Sequence, residues 1–302
     1  MPSTNKGLDP AVLDRLSNLA LVARTVVEGF MAGQHRSPHI GSSVEFAQHR
    51  EYAPGDEPRR VDWKVFGKSD RLVVKQYIEE ESLVCHLLVD ASESMAYGSL
   101  EWTKFDYARW CAAALAHLVL MQRDTAGLVL FDQDYRSKVR PGNGALQLKN
   151  MLEMLEKAEP KGQTNLGGVL DWIAPKLKRR GIVCIFSDFF DDTDKLVSAL
   201  RRLRQNGHEP ILFQVIDPQE QAFDFETQLR LDGLENLGMH KVDPRAIREA
   251  YVEEIEKFQK DLARTAGSLS ADHVLLSTGM PVDAALSTYL GHRMARARGG
   301  RR

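Results

Sequence analysis

The chain has 302 residues, long enough for a sizeable core, and its 43% hydrophobic and 27% charged content is that of a globular protein. A net charge of -2 gives no global pull toward nucleic acid or an acidic membrane. Three cysteines, Cys85, Cys111 and Cys184, sit in apolar segments without metal-ligand spacing, which argues against a disulfide framework and for a reducing compartment. Met1 to Lys6 lacks the apolar core of a signal peptide, and the longest apolar stretch, Cys111 to Met121, is too short to span a bilayer. A cytoplasmic protein is expected.

Apolar residues at helical spacing predict a helix over 9–32, with Asp9 and Pro10 at its start, Gly33 at its end and a broad apolar face that needs a docking partner. Residues 33–81 are rich in Gly, Pro and charge. Short strands are expected at Ser43–Phe46, Arg60–Trp63 and Leu72–Ile78, around the turn cluster Tyr52–Pro58. Ser82 to Asp90 is mostly apolar and reads as a strand buried on both faces. An Ala-rich helix follows over 102–123, then a strand at 125–131, a short antiparallel partner at 135–139, a turn at 141–144 and a helix at 145–158. The pattern continues with a helix at about 166–180, a strand ending at Ser187, a helix over about 193–206 and a strand at 208–216. This alternation predicts an α/β protein with a doubly wound, mostly parallel sheet. At Pro218 to Asp243 the alternation stops, and Phe223–Phe225 and Leu229–Leu231 suggest short strands or a late hairpin. A helix at 244–265, a strand at 273–276 and a helix at 282–290 complete the fold, before a basic, Gly-containing tail at 293–302 that is expected to be disordered. The expected organisation is therefore 1–81 as a helix plus a β-rich module, 82–292 as the α/β domain with its late insertion, and the tail.

The central strand ends in Asp90-Ala91-Ser92-Glu93-Ser94-Met95. In an open α/β sheet, ligands bind beyond the carboxyl ends of the strands. Asp-x-Ser-x-Ser at that place offers one carboxylate and two hydroxyls, hard oxygen donors that suit Mg²⁺, with Mn²⁺ or Ca²⁺ as alternatives.

The motif resembles the metal-ion-dependent adhesion site of von Willebrand factor A domains, which a distant Thr and a distant Asp complete. Thr164, in Lys161-Gly162-Gln163-Thr164-Asn165-Leu166, and Asp188, at the end of Ile182 to Ser187, stand in the expected order. The resemblance implies a Rossmann-like fold and a metal held by Asp90, Ser92, Ser94, Thr164 and Asp188. It also implies that the two serines coordinate directly, and that one coordination position is left for a partner's acidic residue. A second set of residues narrows the resemblance: Gly33-x-His35-Arg36-Ser37, Gly41-x-Ser43-x-Glu45-Phe46, and Arg50-x-Tyr52-x-Pro54-Gly55-Asp56 followed by Arg59, Arg60, Asp62 and Trp63. These are similar to a bacterial family known as domain of unknown function fifty-eight. That family usually carries Ala-Arg where this chain reads Phe66-Gly67-Lys68. The likeness implies a non-enzymatic adaptor working with a MoxR-type AAA+ ATPase or its client, in protein remodelling or maturation.

The alternative function is a Mg²⁺-dependent hydrolase or phosphotransferase at the same site. Against it, position 92 is Ser where Asp-nucleophile enzymes often carry a second Asp, and neither a phosphate-binding Gly-x-x-x-x-Gly-Lys-Ser/Thr loop nor a Gly-x-Ser-x-Gly elbow occurs. His35 and His39 flank Pro38, which breaks the helix that would pair them on zinc, so with His49 they read as ordinary histidines. Arg50, Tyr52, Asp56, Arg60, Asp62 and Trp63 have two readings, an internal docking network or a partner surface. Asp191, Asp192 and Asp194 read as capping acids of the next helix. Lys176 to Arg180 reads as a solvated helix end, with nucleic-acid binding a weaker option.

Overall fold

The computed structural model describes residues 10–16, 18–33, 45–78, 83–224, 229–232, 239–242, 244–283, 285–289 and 291. Two compact units are present, residues 38–82 and residues 1–37 together with 83–302. The N-terminal helical region therefore packs with the α/β unit, whereas the sequence reading had grouped it with the β-rich segment.

That region is two helices, α1 (Pro10–Asp14) and α2 (Leu19–Gly33), where one was expected. Asn18 causes the break: its side-chain oxygen accepts the Ala20 amide at 2.7 Å, and its carbonyl accepts the Leu21 and Val22 amides. An Asn in that position starts a fresh helix.

In the smaller unit, β1 (Glu45–Glu51) pairs antiparallel with β2 (Val73–Ile78), with a bulge between Phe46 and Gln48. The strand expected at Arg60–Trp63 does not form. Pro58–Arg60 is a 3-10 turn, Val61 makes a single bridge to Val74, and α3 (Trp63–Ser69) begins at once. Asp62 drives this, because its Oδ1 accepts the Lys64 and Val65 amides as a helix cap.

The larger unit is built on β3 (Val84–Asp90), α4 (Lys104–Met121), β4 (Thr125–Phe131), β5 (Tyr135–Gly142) and α5 (Ala145–Glu156). It continues through α6 (Leu166–Ile173), β6 (Ile182–Ser187), α7 (Thr193–Gln205), β7 (Glu209–Ile216) and α8 (Pro218–Ala222). The hairpin β8 (Leu229–Asp232) and β9 (Met239–Val242), helix α9 (Pro244–Ser268) and β10 (Asp272–Ser277) follow. The sheet order is β10-β7-β6-β3-β4-β5, parallel throughout except for antiparallel β5.

Side chains alternate along each central strand between two cores. Cys85, Leu87 and Val89 of β3, with Cys184 and Phe186 of β6, face a core shared with α2, α4 and α5. Leu88, Val183 and Ile185 face the opposite core, with α6, α7 and α9. Buried on both faces, these strands are the continuous apolar runs seen in the sequence.

Three further expectations change. Helix α6 stops at Ile173 and a 3-10 turn at Ala174–Lys176 follows, because Pro175 cannot continue the hydrogen-bond ladder. Strand β5 runs through Pro141 and Gly142, where a turn was expected. Phe223 and Asp224 are not in a strand. Asp217 and Glu220 form a capping box with Pro218 at the first helical position, which makes α8, and Phe223 closes it in the left-handed region. The hairpin of the late insertion is present, but it uses Leu229–Asp232 and Met239–Val242. The basic tail and the 33–44 part of the family signature lie outside the described residues, Gly33 excepted, which ends α2.

Candidate metal centre

Strands β3 and β6 are adjacent and parallel, so their carboxyl ends lie side by side. The chain leaves β3 toward β4 on one side, while β6 stands on the other, which makes this a topological switch point. Asp90 is the last residue of β3 and is fully buried. Its Oδ1 accepts the Ser92 amide at 2.9 Å, and its Oδ2 accepts the Ser187 hydroxyl at 2.6 Å. Ser92 immediately precedes a 3-10 turn, Glu93–Ala96, and that tight turn brings the Ser92 and Ser94 hydroxyls to 3.1 Å from each other.

The loop carrying Thr164 is fastened to this turn. The Glu93 amide donates to the Gly162 carbonyl at 2.8 Å, and the Lys161 amide donates to the Ala91 carbonyl at 2.9 Å. Gly162 has φ +82°, a left-handed conformation that residues with a Cβ rarely adopt, so glycine suits this turn. The Arg136 guanidinium on β5 bonds both loops at once, donating to the Ala91 carbonyl at 3.3 Å and the Glu159 carbonyl at 2.9 Å while pairing with Asp132 at 3.2 Å. Asn165 caps α6 through the Gly168 amide, which fixes the residue next to Thr164. The Thr164 hydroxyl oxygen is itself buried without a hydrogen-bond partner. A buried orphan of this kind calls for an ion or a water. Replacing Arg136 with Met should leave the sheet intact yet loosen the two loops and, on the expectation of a metal here, lower Mg²⁺ affinity roughly tenfold, as loss of an outer-shell support typically does. Titration calorimetry against the wild type would check this, and equal affinity would count against the clamp.

Asp188 follows β6 and is 1% exposed. Its Oδ1 accepts the Phe190 amide at 3.2 Å, and its carbonyl accepts the buried Gln214 side chain of β7 at 3.3 Å. Phe189 next to it has φ +63°, a strained conformation for a bulky residue and one that clusters at functional sites. Burial, followed by the nearby Asp188 charge, pushes the Asp90 carboxyl up to about 7, against the opposing hydrogen bonds from Ser187 and Ser92. Two buried acids side by side are an environment that a cation relieves.

The sequence reading missed Lys104. It is the first residue of α4, it is 1% exposed, and its Nζ donates to Asp188 Oδ2 at 3.0 Å and to Glu220 Oε1 on α8 at 2.8 Å. Burial lowers its proton affinity, but Asp188 and Glu220 outweigh that and raise it overall. A lysine in a helix's first turn normally reads as a surface residue. The one sign in the sequence was its charge, which is wrong for the positive end of a helix dipole.

The five proposed ligands thus lie on three loops at one end of the sheet, with three hydroxyls and two carboxylates among them. Among the described residues, no group of three or more His, Cys, Asp or Glu is placed to hold a metal, so any ion here would depend on the hydroxyls.

The second set of candidates lies in the smaller unit. Arg50 grips Asp56 with bonds of 2.7 and 2.8 Å, and Asp56 also accepts the Ala53 amide. These bonds, the Ala53 amide first, hold the Asp56 carboxyl below its usual range. His49 bonds Asp62 at 3.1 Å, and Asp62 caps α3. Arg50, Asp56 and Asp62 are therefore tied up in local architecture. Tyr52 donates its amide to the Leu72 carbonyl, and Arg60 ends the 3-10 turn. Trp63 is 61% exposed and edge-on to Phe66. His35 and His39 lie outside the described residues. Asp192 caps α7, as the sequence suggested, and Asp191 accepts the Gly167 amide.

A family described as protein of unknown function DUF58 matches residues 48–261. The chain belongs to the DUF58 family. Among its relatives is the uncharacterized protein Rv1480 of Mycobacterium tuberculosis, 27% identical over 277 residues, which cover 89% of this chain and 86% of that protein. The conserved hypothetical protein BatB from Bacteroides thetaiotaomicron has a similar solved structure, with TM-score 0.50 and 15% identity over 71% of this chain and all (100%) of that one. The SpRpn10 VWA domain also matches, at TM-score 0.41 and 11% identity, over 68% of this chain and 95% of that one. This DUF58 protein has a von Willebrand factor A-like fold, with its six-stranded, mostly parallel sheet flanked by helices. Among the described residues, no helix is long and apolar enough to cross a membrane.

Proposed function

We propose that this DUF58 protein is a non-enzymatic adaptor that captures an acidic residue of a partner protein through a Mg²⁺ ion held by Asp90, Ser92, Ser94, Thr164 and Asp188. The observation that carries this reading is the buried, unpartnered Thr164 hydroxyl, on a loop fastened to the Asp-x-Ser-x-Ser turn. Neutral hydroxyls quench little of a dication's charge, so a bound ion supplies a strong electrostatic attraction for a carboxylate. The chain's own part is to hold the donors still: Ser187 and the Ser92 amide fix Asp90, Arg136 and Gly162 fix the Thr164 loop, and Gln214 fixes Asp188. The von Willebrand factor A-like fold supports an interaction role. The partner we propose is a MoxR-type AAA+ ATPase or its client, in the cytoplasm, where the three free, buried cysteines suit a reducing environment.

The test is affinity capture from cell extract in Mg²⁺ and again with chelator present, alongside an Asp90→Ala variant. An ATPase recovered only with Mg²⁺ and only by the wild type is the expected result. Capture that ignores both chelator and substitution would remove the metal from the account.

A further inference from the structure

Lys104 is an odd residue to bury. Its ammonium lies at the positive end of α4, has 1% exposure, and forms a three-charge cluster with Asp188 and Glu220 under the rings of Tyr97 and Phe190, 5.9 and 5.6 Å from Nζ. Buried ion clusters stabilise proteins poorly, because desolvation offsets the attraction. Stability is thus a weak reason for this one, and its contact with a proposed metal ligand suggests another.

Neither acid at the site has a free oxygen. Asp188 Oδ1 accepts the Phe190 amide and Oδ2 accepts Lys104. Asp90 Oδ1 accepts the Ser92 amide and Oδ2 accepts the Ser187 hydroxyl. The two differ in kind, since Asp90 is held by neutral donors and Asp188 Oδ2 is held by a full positive charge. An ammonium in contact with that oxygen repels a dication from it, so Asp188 can serve an ion only from its other side, through one oxygen or a bound water. The donor set then consists of three hydroxyls and single carboxylate oxygens. That count suits the six-coordinate, partly hydrated shell of Mg²⁺ and falls short of the six to eight oxygens, often from bidentate carboxylates, that Ca²⁺ takes.

We propose that Lys104 is a positioning residue that sets metal selectivity, holding Asp188 to one-sided coordination so that the site takes Mg²⁺ or Mn²⁺ and rejects Ca²⁺. Glu220 is its counterweight. By sharing the ammonium, it keeps Lys104 from neutralising Asp188 outright. This inference rests on the metal reading above.

The test compares Mg²⁺ and Ca²⁺ affinities, by titration calorimetry with the metals alone, in the wild type, Lys104→Met and Glu220→Gln. Methionine keeps the length of the side chain and removes its charge. The wild type should prefer Mg²⁺, and the Met variant should gain Ca²⁺ affinity at least tenfold relative to Mg²⁺. The Gln variant should lose roughly tenfold in Mg²⁺ affinity while keeping its preference, and it decides the matter if the Met variant fails to fold. A folded Met variant with the wild-type ratio, or a Gln variant with unchanged Mg²⁺ affinity, overturns the role of Lys104 alone. A wild type that binds neither metal overturns the metal reading itself, and this inference with it.

Discussion

Replacing Asp90 with Asn is expected to stabilise the metal-free protein at pH 8 and to abolish its response to Mg²⁺. The substitution keeps the shape of the side chain: the amide oxygen still accepts the Ser92 amide, and the amide nitrogen donates to the Ser187 oxygen where the carboxylate had accepted its proton. What it removes is a charge that burial and Asp188 both oppose. In the wild type, a folded value of about 7 against an ordinary 3.8 means that the native state binds more protons than the unfolded chain between those limits. Stability from this group is therefore fully present below about pH 4, and is lost as pH rises toward 7. The full displacement corresponds to roughly 4 kcal/mol at pH 8. Urea unfolding of metal-free protein at pH 5 and pH 8 would capture the larger part of it, the share lost between those values: the wild type should weaken between the two and the variant much less. Saturating Mg²⁺, at about a hundred times its dissociation constant, should return roughly 2.7 kcal/mol to the wild type and nothing to the variant. Equal Mg²⁺ stabilisation of both proteins would show that Asp90 does not hold the ion.

The second large effect concerns α2. Val26 is 2% exposed and lies in the core shared with α4 and α5, whereas Leu21 on the same helix is 50% exposed. Val26→Asp should cost more than about 3 kcal/mol, since it buries a charge without a partner. Leu21→Asp should change stability by no more than about 0.5 kcal/mol. Thermal melts of the two variants make the comparison internal, because each adds the same charge to the same helix. If Val26→Asp melts with the wild type, α2 is not an integral part of the α/β unit.

Most of the fold was legible because its strands are buried on both faces. Runs such as Val84 to Val89 and Ile182 to Phe186 are too apolar to be anything but interior, and helices punctuate them at regular intervals. The errors fell where one polar residue overrode periodicity. Asn18 split the first helix, Asp62 converted an expected strand into a helix start, and Asp217 with Glu220 created α8. Each acts by satisfying backbone amides that the hydrophobic pattern does not register.

By itself the sequence determined the chemistry available at the end of β3: Asp90, Ser92 and Ser94 are neighbours along the chain, and their alternate spacing needs no tertiary knowledge. Thr164 and Asp188 came only through likeness to a known motif. Tertiary structure alone decided that the Thr164 hydroxyl is left without a partner and that both Asp90 oxygens are occupied. It alone decided that Lys104 reaches Asp188, 84 positions away, and Glu220, 116 away. The reason is physical: a pattern of residues records which groups are hidden from water, but the partner a hidden charge finds depends on how strands and helices from distant parts of the chain close around it.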